Sequence, residues 1–239
     1  MMTRRHLLQA SLAAALSAVV AACSRKVTPR ATSTNTPTPT TTATGTAVPT
    51  CIVKPALTEG PYFVDEKLNR SDIREDRQGA LLRLAFNVSR LDASGCVALQ
   101  GAQVDVWHCD AAGVYSDVAQ NDSVGKKFLR GYQLTDANGH SEFITIFPGW
   151  YMGRAIHIHF KIRTFAGGTK TYEFTSQLFF DDGTIDAILA KDPYKARGAP
   201  DIRNANDGIY NQSGGALTLP LAAEGSGYAG SFDIGLQIR

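Results

Sequence analysis

From residue 51 onward, the chain consists of short runs in which apolar and polar residues alternate, separated by turn residues such as Gly, Pro, Asn and Asp. Such alternation is typical of half-buried β-strands, and many short strands with regular turns are typical of an all-β domain. In the predicted strand over 102–109, Val104, Val106 and His108 fall on one face and the residues between them on the other. The pattern predicts strands over 82–91, 102–109, 131–134, 143–147, 155–162, 172–180, 217–221 and 232–238.

One stretch departs from this alternation. Residues 181–215 contain a single short helical signal, over 185–190, and otherwise have the composition of a loop. We therefore expect an all-β fold, a β-sandwich of mostly antiparallel strands with long loops. A sandwich is favoured over a barrel, although periodicity alone does not decide between them.

The charges are distributed unevenly along the chain. The whole sequence has 24 Lys and Arg against 22 Asp and Glu, a net charge of +2. Residues 1–50 hold five of the basic residues and no acid, which leaves a net charge of −3 on residues 51–239. Binding to nucleic-acid phosphates requires a basic surface, so we expect no nucleic-acid partner.

The first 23 residues have the features of an export signal. Arg4 and Arg5 precede an uncharged, Ala-rich stretch over 7–22, which is shorter than the ~20 apolar residues of a membrane span. The stretch ends in an apolar residue and two small residues before Cys23, as in a bacterial lipoprotein cleavage site, and the paired arginines are similar to a twin-arginine signal. We expect export by the twin-arginine route, with a lipid anchor at Cys23 as the only membrane attachment. The anchored protein would lie on the outer side of the cytoplasmic membrane or in the cell envelope, and an ordinary secretory signal is the alternative.

Residues 24–50 predict a disordered tether. Eleven Thr and four Pro lie between residues 27 and 50, a composition that cannot bury a core. The expected organisation is an export signal over 1–23, a Thr/Pro-rich tether over 24–50 and one folded domain over 51–239. About 190 residues are enough for such a domain to have a sizeable core.

If Cys23 carries the lipid, Cys51, Cys96 and Cys109 remain. An exported location permits disulfides, and one pair with one free thiol is the simplest arrangement. We expect Cys51 to pair with Cys96, because Cys51 opens the domain and Cys96 lies at a Ser–Gly turn. A pairing of Cys51 with Cys109 stays open.

Two histidines in a strand-like run form a candidate metal-binding pair. His157 and His159 flank Ile158, so both imidazoles fall on one face of the strand. Neighbouring imidazoles are common metal ligands. Tyr115 and Tyr151 each follow a turn that can direct the phenol back toward the strands, and phenolate oxygens suit a trivalent metal. Taken singly, each of these patterns also fits ordinary strand or surface residues.

Longer segments around these residues resemble the intradiol ring-cleavage dioxygenases. The run GWYMGRAIHIHF over 149–160 and the run VDVWHCDAAGVYS over 104–116 are similar to the segments that bear the iron ligands of that family. TEGPY over 58–62 resembles the family's entrance motif, and Gln177 matches a pocket glutamine. The similarity spans 51–239 with the motifs in the expected order. It is greatest for the exported branch that resembles the protocatechuate 3,4-dioxygenase β-chain.

This resemblance implies a prealbumin-like sandwich core and a non-haem Fe(III) held by Tyr115, Tyr151, His157 and His159 with a hydroxide. Two phenolates and a hydroxide would balance the trivalent charge, which favours Fe(III) over Fe(II) and zinc. A catechol-type substrate would displace Tyr151, which takes a proton. O2 would then cleave the ring between its two hydroxyl-bearing carbons to give a cis,cis-muconate-type diacid.

The resemblance also implies roles for residues that are not ligands. Arg154 would stabilise negative charge on the substrate ring, and Gln177 would contact the oxygen region. His108 and Asp110 are interpreted as residues behind the ligands or in the pocket. Their position in the segment that leads to the first tyrosine is the reason for this interpretation.

Two departures from the family leave substrate size and oligomeric state open. The link between Tyr151 and His157 is short compared with that of the classical protocatechuate enzymes. The helical N-terminal dimerisation region of the catechol and hydroxyquinol enzymes has no counterpart ahead of residue 51.

Two other functions fit parts of the sequence. A non-catalytic, prealbumin-like surface binding module would explain the scaffold and make Tyr151 a core aromatic, but it leaves the histidines, Arg154 and Gln177 unexplained. A zinc or copper hydrolase could use the two histidines with an acid such as Asp110, but it leaves both tyrosines without a role.

Overall fold

Two β-sheets packed face to face form the scaffold, and the computed structural model describes residues 52–93 and 95–238. The strands are β1 (Leu81–Asp92), β2 (Gly95–Ala98), β3 (Gln103–Trp107), β4 (Arg130–Leu134), β5 (His140–Ile146), β6 (His157–Ala166), β7 (Thr169–Phe179), β8 (Ala222–Glu224) and β9 (Gly227–Leu236). The helices are α1 (Asp182–Leu189) and α2 (Gly208–Gln212), with 3₁₀ turns at Ala119–Asn121, Tyr194–Arg197 and Asn204–Asn206. The predictions for residues 1–51, including the export signal and the tether, lie outside the described residues.

Sheet I has the strand order β2-β1-β9-β8, with β5 also paired to β1. β5 pairs with the first part of β1 and β2 with its end, while β9 runs parallel to β1 along its other edge. Sheet II has the order β4-β3-β6-β7 and is antiparallel throughout. The expected sandwich of mostly antiparallel strands is confirmed, and the sheets do not close into a barrel.

The core lies between the inner faces of the two sheets, as the alternating pattern predicts. Phe86 of sheet I and Phe160 of sheet II approach to 5.3 Å between ring centroids, and Phe232 lies 5.4 Å from Phe160. All three are almost fully buried. Each such ring contributes roughly 1.5–3 kcal/mol relative to an exposed position, so this aromatic contact between the sheets is a substantial part of the core.

β6 is buried on both faces, which distinguishes it from an ordinary half-exposed strand. Its apolar residues face the core, whereas His157, His159, Lys161 and Arg163 lie on the opposite face and are buried as well. A stretch of chain over residues 57–66, here called the covering segment, lies across this outer face. The histidine pair is therefore enclosed between sheet II and irregular chain rather than in the sandwich core.

Ion pairs and an aromatic contact hold the covering segment to sheet II. The Lys161 ammonium pairs with Glu59 and lies 4.0 Å from the ring centroid of Phe63. The Arg163 guanidinium pairs with Asp65 at 3.1 Å. Because both basic side chains come from β6, these contacts attach the segment beside the histidines.

One predicted strand is wrong. Residues 217–221 form only an isolated bridge, between Thr218 and Phe179 at the edge of β7. Pro220 has no N–H to continue a ladder. The other predicted strands and the short helix near 185 are confirmed with shifted ends, and the predicted strand over 102–109 ends at Trp107. The short strands β2 and β8 were not predicted.

The state of the cysteines excludes one of the two disulfide pairings that the sequence leaves open. Cys96 is disulfide-bonded, and Cys109 is a buried free thiol that donates to the Gly149 carbonyl at 3.3 Å. The alternative pairing of Cys51 with Cys109 is therefore wrong, while the expected partner of Cys96, Cys51, lies outside the described residues. Within 52–93 and 95–238, no helix is long and apolar enough to cross a membrane.

Candidate metal centre

Four side chains that the sequence singles out converge at one buried point on the outer face of sheet II. The Nε2 atoms of His157 and His159 lie 3.0 Å apart, and Tyr151 Oη lies 3.3 Å from His157 Nε2. The Tyr115 ring completes the group, with its centroid 5.6 Å from that of Tyr151 and 6.2 Å from that of His159. The structure thus brings together all four predicted ligands, which come from β6 and two separate loops.

The backbone sets the orientation of His157. Its Nδ1–H donates to the Ala155 carbonyl at 2.6 Å, which leaves Nε2 as the lone-pair nitrogen facing the other donors. A metal-ligating histidine usually donates its second ring nitrogen in this way, because the hydrogen bond selects the tautomer and the ring angle. His157 therefore has the arrangement of a ligand.

Packing rather than a hydrogen bond orients His159. Its ring stacks on Trp107 of β3 with centroids 4.9 Å apart and an interplanar angle of 10°, as cross-strand neighbours in register. Gly60 of the covering segment closes the other side, at a φ of +73°, where an added Cβ would lie 3.2 Å from the ring. Only glycine adopts this backbone readily, so the TEGPY motif places a small residue against the imidazole.

A tight turn positions Tyr115. The Asp110 carboxylate accepts from the N–H groups of Ala112 and Val114 at 2.9 and 3.0 Å, and Tyr115 N–H donates to Asn121 Oδ1 at 3.0 Å. The Tyr115 side chain is 1% exposed, and its hydroxyl has no hydrogen-bond partner among the described residues. A buried polar atom without a partner is costly, and a bound cation beside the other three donors would satisfy it.

The electrostatics of the four donors fit a cation. Burial raises the pKa of the Tyr151 phenol to about 12 and that of Tyr115 well above its usual value. Burial also lowers the pKa of His157 to about 3, with a further contribution from Arg154, and that of His159 well below its usual value. The imidazoles are therefore neutral lone-pair donors, and only a strongly charged cation would favour phenolates here.

Arg154 lies beside the donors in a network of buried polar groups. Its Nε donates to Asp207 at 2.8 Å and its Nη2 to Gln177 Oε1 at 2.7 Å. Gln177 Nε2 in turn donates to the Thr58 carbonyl at 2.8 Å. Gln177 is opposite His159 in the β6–β7 ladder, so both predicted non-ligand residues are placed next to the candidate metal centre.

Asp207 is the member of this network that sequence reasoning missed. It is 2% exposed and lies in the stretch over 181–215 that is predicted to be mostly loop. The Asn-Asp-Gly sequence before Ile209 is compatible with a helix N-cap, and this signal could have identified α2. No sequence pattern indicates its contact with Arg154, because the two residues are distant along the chain.

His108 is oriented away from the donors. Its Nε2 lies 2.7 Å from Thr145 Oγ1 of β5 and its Nδ1 donates to the Cys109 carbonyl at 2.8 Å. It shares the inner face of sheet II with Val104 and Val106, so it connects the two sheets through the core. The structure therefore gives His108 a role in the core between the two sheets, in place of the predicted role behind the ligands or in the pocket.

Asp110 supports the turn before Tyr115 and lies 3.4 Å from Arg77, so it does not act as a third ligand beside the histidines. Residues 52–93 and 95–238 contain no group of three His, Cys, Asp or Glu that could hold a metal ion. The donor set is completed by tyrosines instead. Asp110, the acid that the hydrolase alternative used, is thus engaged by the turn and by Arg77 instead.

Comparison with known proteins agrees with the geometry. Residues 58–209 match the model of the family described as "Dioxygenase". The chain is 33% identical over 146 residues to the protocatechuate 3,4-dioxygenase β chain of Burkholderia cepacia, covering 57% of each protein. It is 27% identical over 159 residues to chlorocatechol 1,2-dioxygenase of Pseudomonas putida, covering 56% of this chain and 58% of that protein. The chain thus spans a little over half the length of these curated relatives.

Among solved structures, an intradiol ring-cleavage dioxygenase from Tetranychus urticae superposes with a TM-score of 0.69 at 32% identity. The match covers 78% of this chain and 95% of that one. The likeness therefore extends over both sheets and the segments that carry the four donors.

Proposed function

Because the chain belongs to the intradiol ring-cleavage dioxygenase family, we propose that it cleaves a catechol-type ring between the two hydroxyl-bearing carbons. The reaction would use non-haem Fe(III) and O2 and give a cis,cis-muconate-type diacid. The observation that carries the proposal is the convergence of Tyr115, Tyr151, His157 and His159 at one buried point. A non-catalytic binding module would not need two phenols and two imidazoles there.

The four converging side chains would hold the metal. Their oxygen and nitrogen donors suit a trivalent transition metal, and two phenolates would offset most of its charge. When bound, the iron would supply the positive charge that keeps a catechol deprotonated and its ring electron-rich toward O2. Trp107 and Tyr62 enclose the donors with apolar surface, which strengthens electrostatic interactions by excluding water.

Tyr151 is the donor suited to exchange with a substrate. It is half-buried whereas Tyr115 is almost fully buried, so only the Tyr151 phenol can move without opening the interior. Its high intrinsic basicity, reflected in a pKa of about 12, makes the phenolate a good acceptor for a catechol proton. We assign it this role and leave Tyr115 as a permanent ligand.

Arg154 supplies a fixed positive charge beside the reacting ring. Its guanidinium is held on two sides, by Asp207 and by Gln177, so it need not reorganise when negative charge develops on the substrate. Such preorganised charge is commonly the largest contribution to catalysis. The neighbouring Gln177 amide lines the same region and would face the bound oxygen.

Colour and oxygen uptake test the proposal together. Two tyrosinates on Fe(III) should give the purified protein a strong visible charge-transfer band. Oxygen uptake should follow the addition of catechol, protocatechuate, hydroxyquinol or a substituted catechol, and the acyclic diacid should be detected by mass spectrometry. A colourless protein with one tightly bound zinc and no oxygen uptake would contradict the proposal.

We further propose that the protein works outside the cytoplasm, attached by a lipid at Cys23. The support is the export-type sequence over 1–23 and the tether composition over 24–50. The twin-arginine route carries folded proteins, which suits a domain that takes up its metal before export. The expected substrates are then catechols encountered outside the cell.

A further inference from the structure

One buried carboxylate binds both Arg154 and the backbone next to the candidate ligands. Asp207 Oδ2 accepts from Arg154 Nε and from Ala155 N–H, each at 2.8 Å. Its Oδ1 accepts from Ile209 N–H at 2.7 Å and from Tyr210 N–H at 3.0 Å. The side chain is 1% exposed, and all its contacts come from donors, so it is held as a carboxylate.

The hydrogen bonds of Arg154 leave one nitrogen of its guanidinium available to a ligand. Nε is held by Asp207 and Nη2 by Gln177, while Nη1 makes no hydrogen bond to the described residues. An arginine side chain has several rotatable bonds, and ordering it costs conformational entropy. Two contacts on a planar guanidinium fix its plane as well as its position, which leaves the Nη1 edge available to a ligand.

We infer that Asp207 is the positioning residue for Arg154 in ring cleavage, an inference that rests on the function proposed above. The same carboxylate binds Ala155 N–H, and the Ala155 carbonyl accepts from His157 Nδ1. Asp207 therefore aligns the guanidinium and the imidazole relative to each other. It connects α2, which is remote in sequence, to Arg154 and to the backbone beside His157, and it makes no hydrogen bond to the side chains of the four candidate ligands.

A purely structural role is the competing explanation, because Asp207 is also the N-cap of α2. Asp181 offers a matched control. It is the N-cap of α1, where it accepts from Thr184 N–H at 2.8 Å, and it has no contact with Arg154. If capping were the only function of Asp207, substitution at the two positions would have similar consequences.

The first experiment compares Asp207→Asn and Asp181→Asn in the iron-loaded full chain. An amide offers one acceptor atom where the carboxylate offers two, so the substituted side chain cannot satisfy all four donors. We expect kcat/KM for a catechol to fall by about tenfold or more in Asp207→Asn, carried mainly by kcat, as for the loss of one charge-assisted hydrogen bond. Asp181→Asn should keep the wild-type value, and equal kinetics in the two variants would overturn the inference.

A double-mutant cycle separates positioning from general destabilisation. In the Arg154→Ala background, Asp207→Asn should lower kcat/KM by less than about threefold, because the guanidinium is gone and only the contact with Ala155 N–H is left to lose. A full additional tenfold loss in that background would show that Asp207 acts independently of Arg154 and would overturn the inference.

A labelling experiment measures the contact without turnover. Phenylglyoxal reacts with guanidinium groups, and peptide mass spectrometry follows the reaction at Arg154 in the full chain as purified. The residue should react several-fold faster in Asp207→Asn than in the wild type or Asp181→Asn, because one of its two anchors is lost. Unchanged reactivity in Asp207→Asn would contradict the role of Asp207. If the increase is seen in Asp207→Asn but the wild-type protein cleaves no catechol, only the proposed function is contradicted.

Discussion

At the residue scale, the candidate metal centre depends on donors that burial alone would keep uncharged. The two phenols have raised pKa values and the two imidazoles lowered ones, and removal from water is the main cause in each case. The same burial that prevents ionisation in the absence of a cation would strengthen the attraction once a cation is present. The four residues are therefore poised for a metal and poorly suited to acid–base chemistry without one.

Tyr151 and Gln177 provide a paired prediction about ligand and non-ligand roles. Tyr151→Phe should alter the visible charge-transfer band and slow turnover by about 100-fold, as expected for loss of a proton acceptor. Gln177→Ala should reduce activity while leaving the band largely intact, because the amide contacts Arg154 rather than the four donors. Absorption spectra and iron content check both variants, and equal loss of iron in the two would contradict these roles.

The buried contact between His108 and Thr145 provides a stability prediction. Thr145→Val removes the hydroxyl at nearly constant volume and leaves His108 Nε2 without its partner at 2.7 Å. We expect the free energy of unfolding in urea to fall by about 1–3 kcal/mol, with an unchanged absorption band. Thr171→Val is the control, because its hydroxyl contact with Thr164 is exposed and the change should be within about 0.5 kcal/mol.

At the scale of elements, β6 combines two surfaces in one strand. Its inner face completes the sandwich core, and its outer face carries first the two histidines and then Lys161 and Arg163. The basic pair attaches the covering segment, which in turn places Gly60 against His159. Because β6 itself holds the covering segment over its outer face, water can be excluded from the two histidines without a second domain.

Lys161→Met tests this attachment. The substitution keeps an apolar stem but removes the charge that pairs with Glu59 and lies over Phe63. We expect faster amide hydrogen exchange over residues 57–66, because local opening requires less free energy when these contacts are lost.

Lys195→Met is the matched control, since Lys195 pairs with Asp192 at an exposed position in the 3₁₀ turn over Tyr194–Arg197. Exchange over 57–66 should be unchanged in that variant. Equal exchange rates in Lys161→Met and the wild type would contradict the role of Lys161 in attaching the covering segment.

At the scale of the whole molecule, the proposed function combines an enclosed metal centre with a location outside the cytoplasm. The net charge of +2 combines a basic N-terminal region with a domain of net charge −3. The small positive total therefore says little about partners. The charges that matter for the proposed function are local: Arg154 with Asp207, and the two phenols that would ionise when they hold the metal.

Cys23→Ser tests the proposed lipid anchor and the membrane location that it would give. Without the thiol there is no site for the lipid, so the protein should move from the membrane fraction to the soluble extracytoplasmic fraction, and the mass of the mature chain should lack the acyl groups. Cys109→Ser is the control, because Cys109 is buried in the domain and its substitution should leave the distribution unchanged. Membrane association that persists in Cys23→Ser would contradict a lipid anchor at this residue.

Much of the fold follows from local pattern. Strand alternation predicts β1, β3, β6 and β7 and their inner faces, because burial of one side of a strand imposes a period of two on the sequence itself. It fails at 217–221, where apolar residues are buried without forming a ladder, and at the short strands β2 and β8. These errors arise where pairing partners, rather than the local sequence, determine the structure.

By itself, the sequence determined an all-β fold and the placement of both histidines on one face of a strand, and its resemblance to a known family predicted the four candidate donors. Motif spacing and strand period are local properties, so they can be read before folding. Only the tertiary structure decided that His108 faces the core, that Asp110 supports a turn and that Asp207 holds Arg154. These assignments depend on which distant residues meet, and burial in the folded chain rather than any nearby sequence selects those partners.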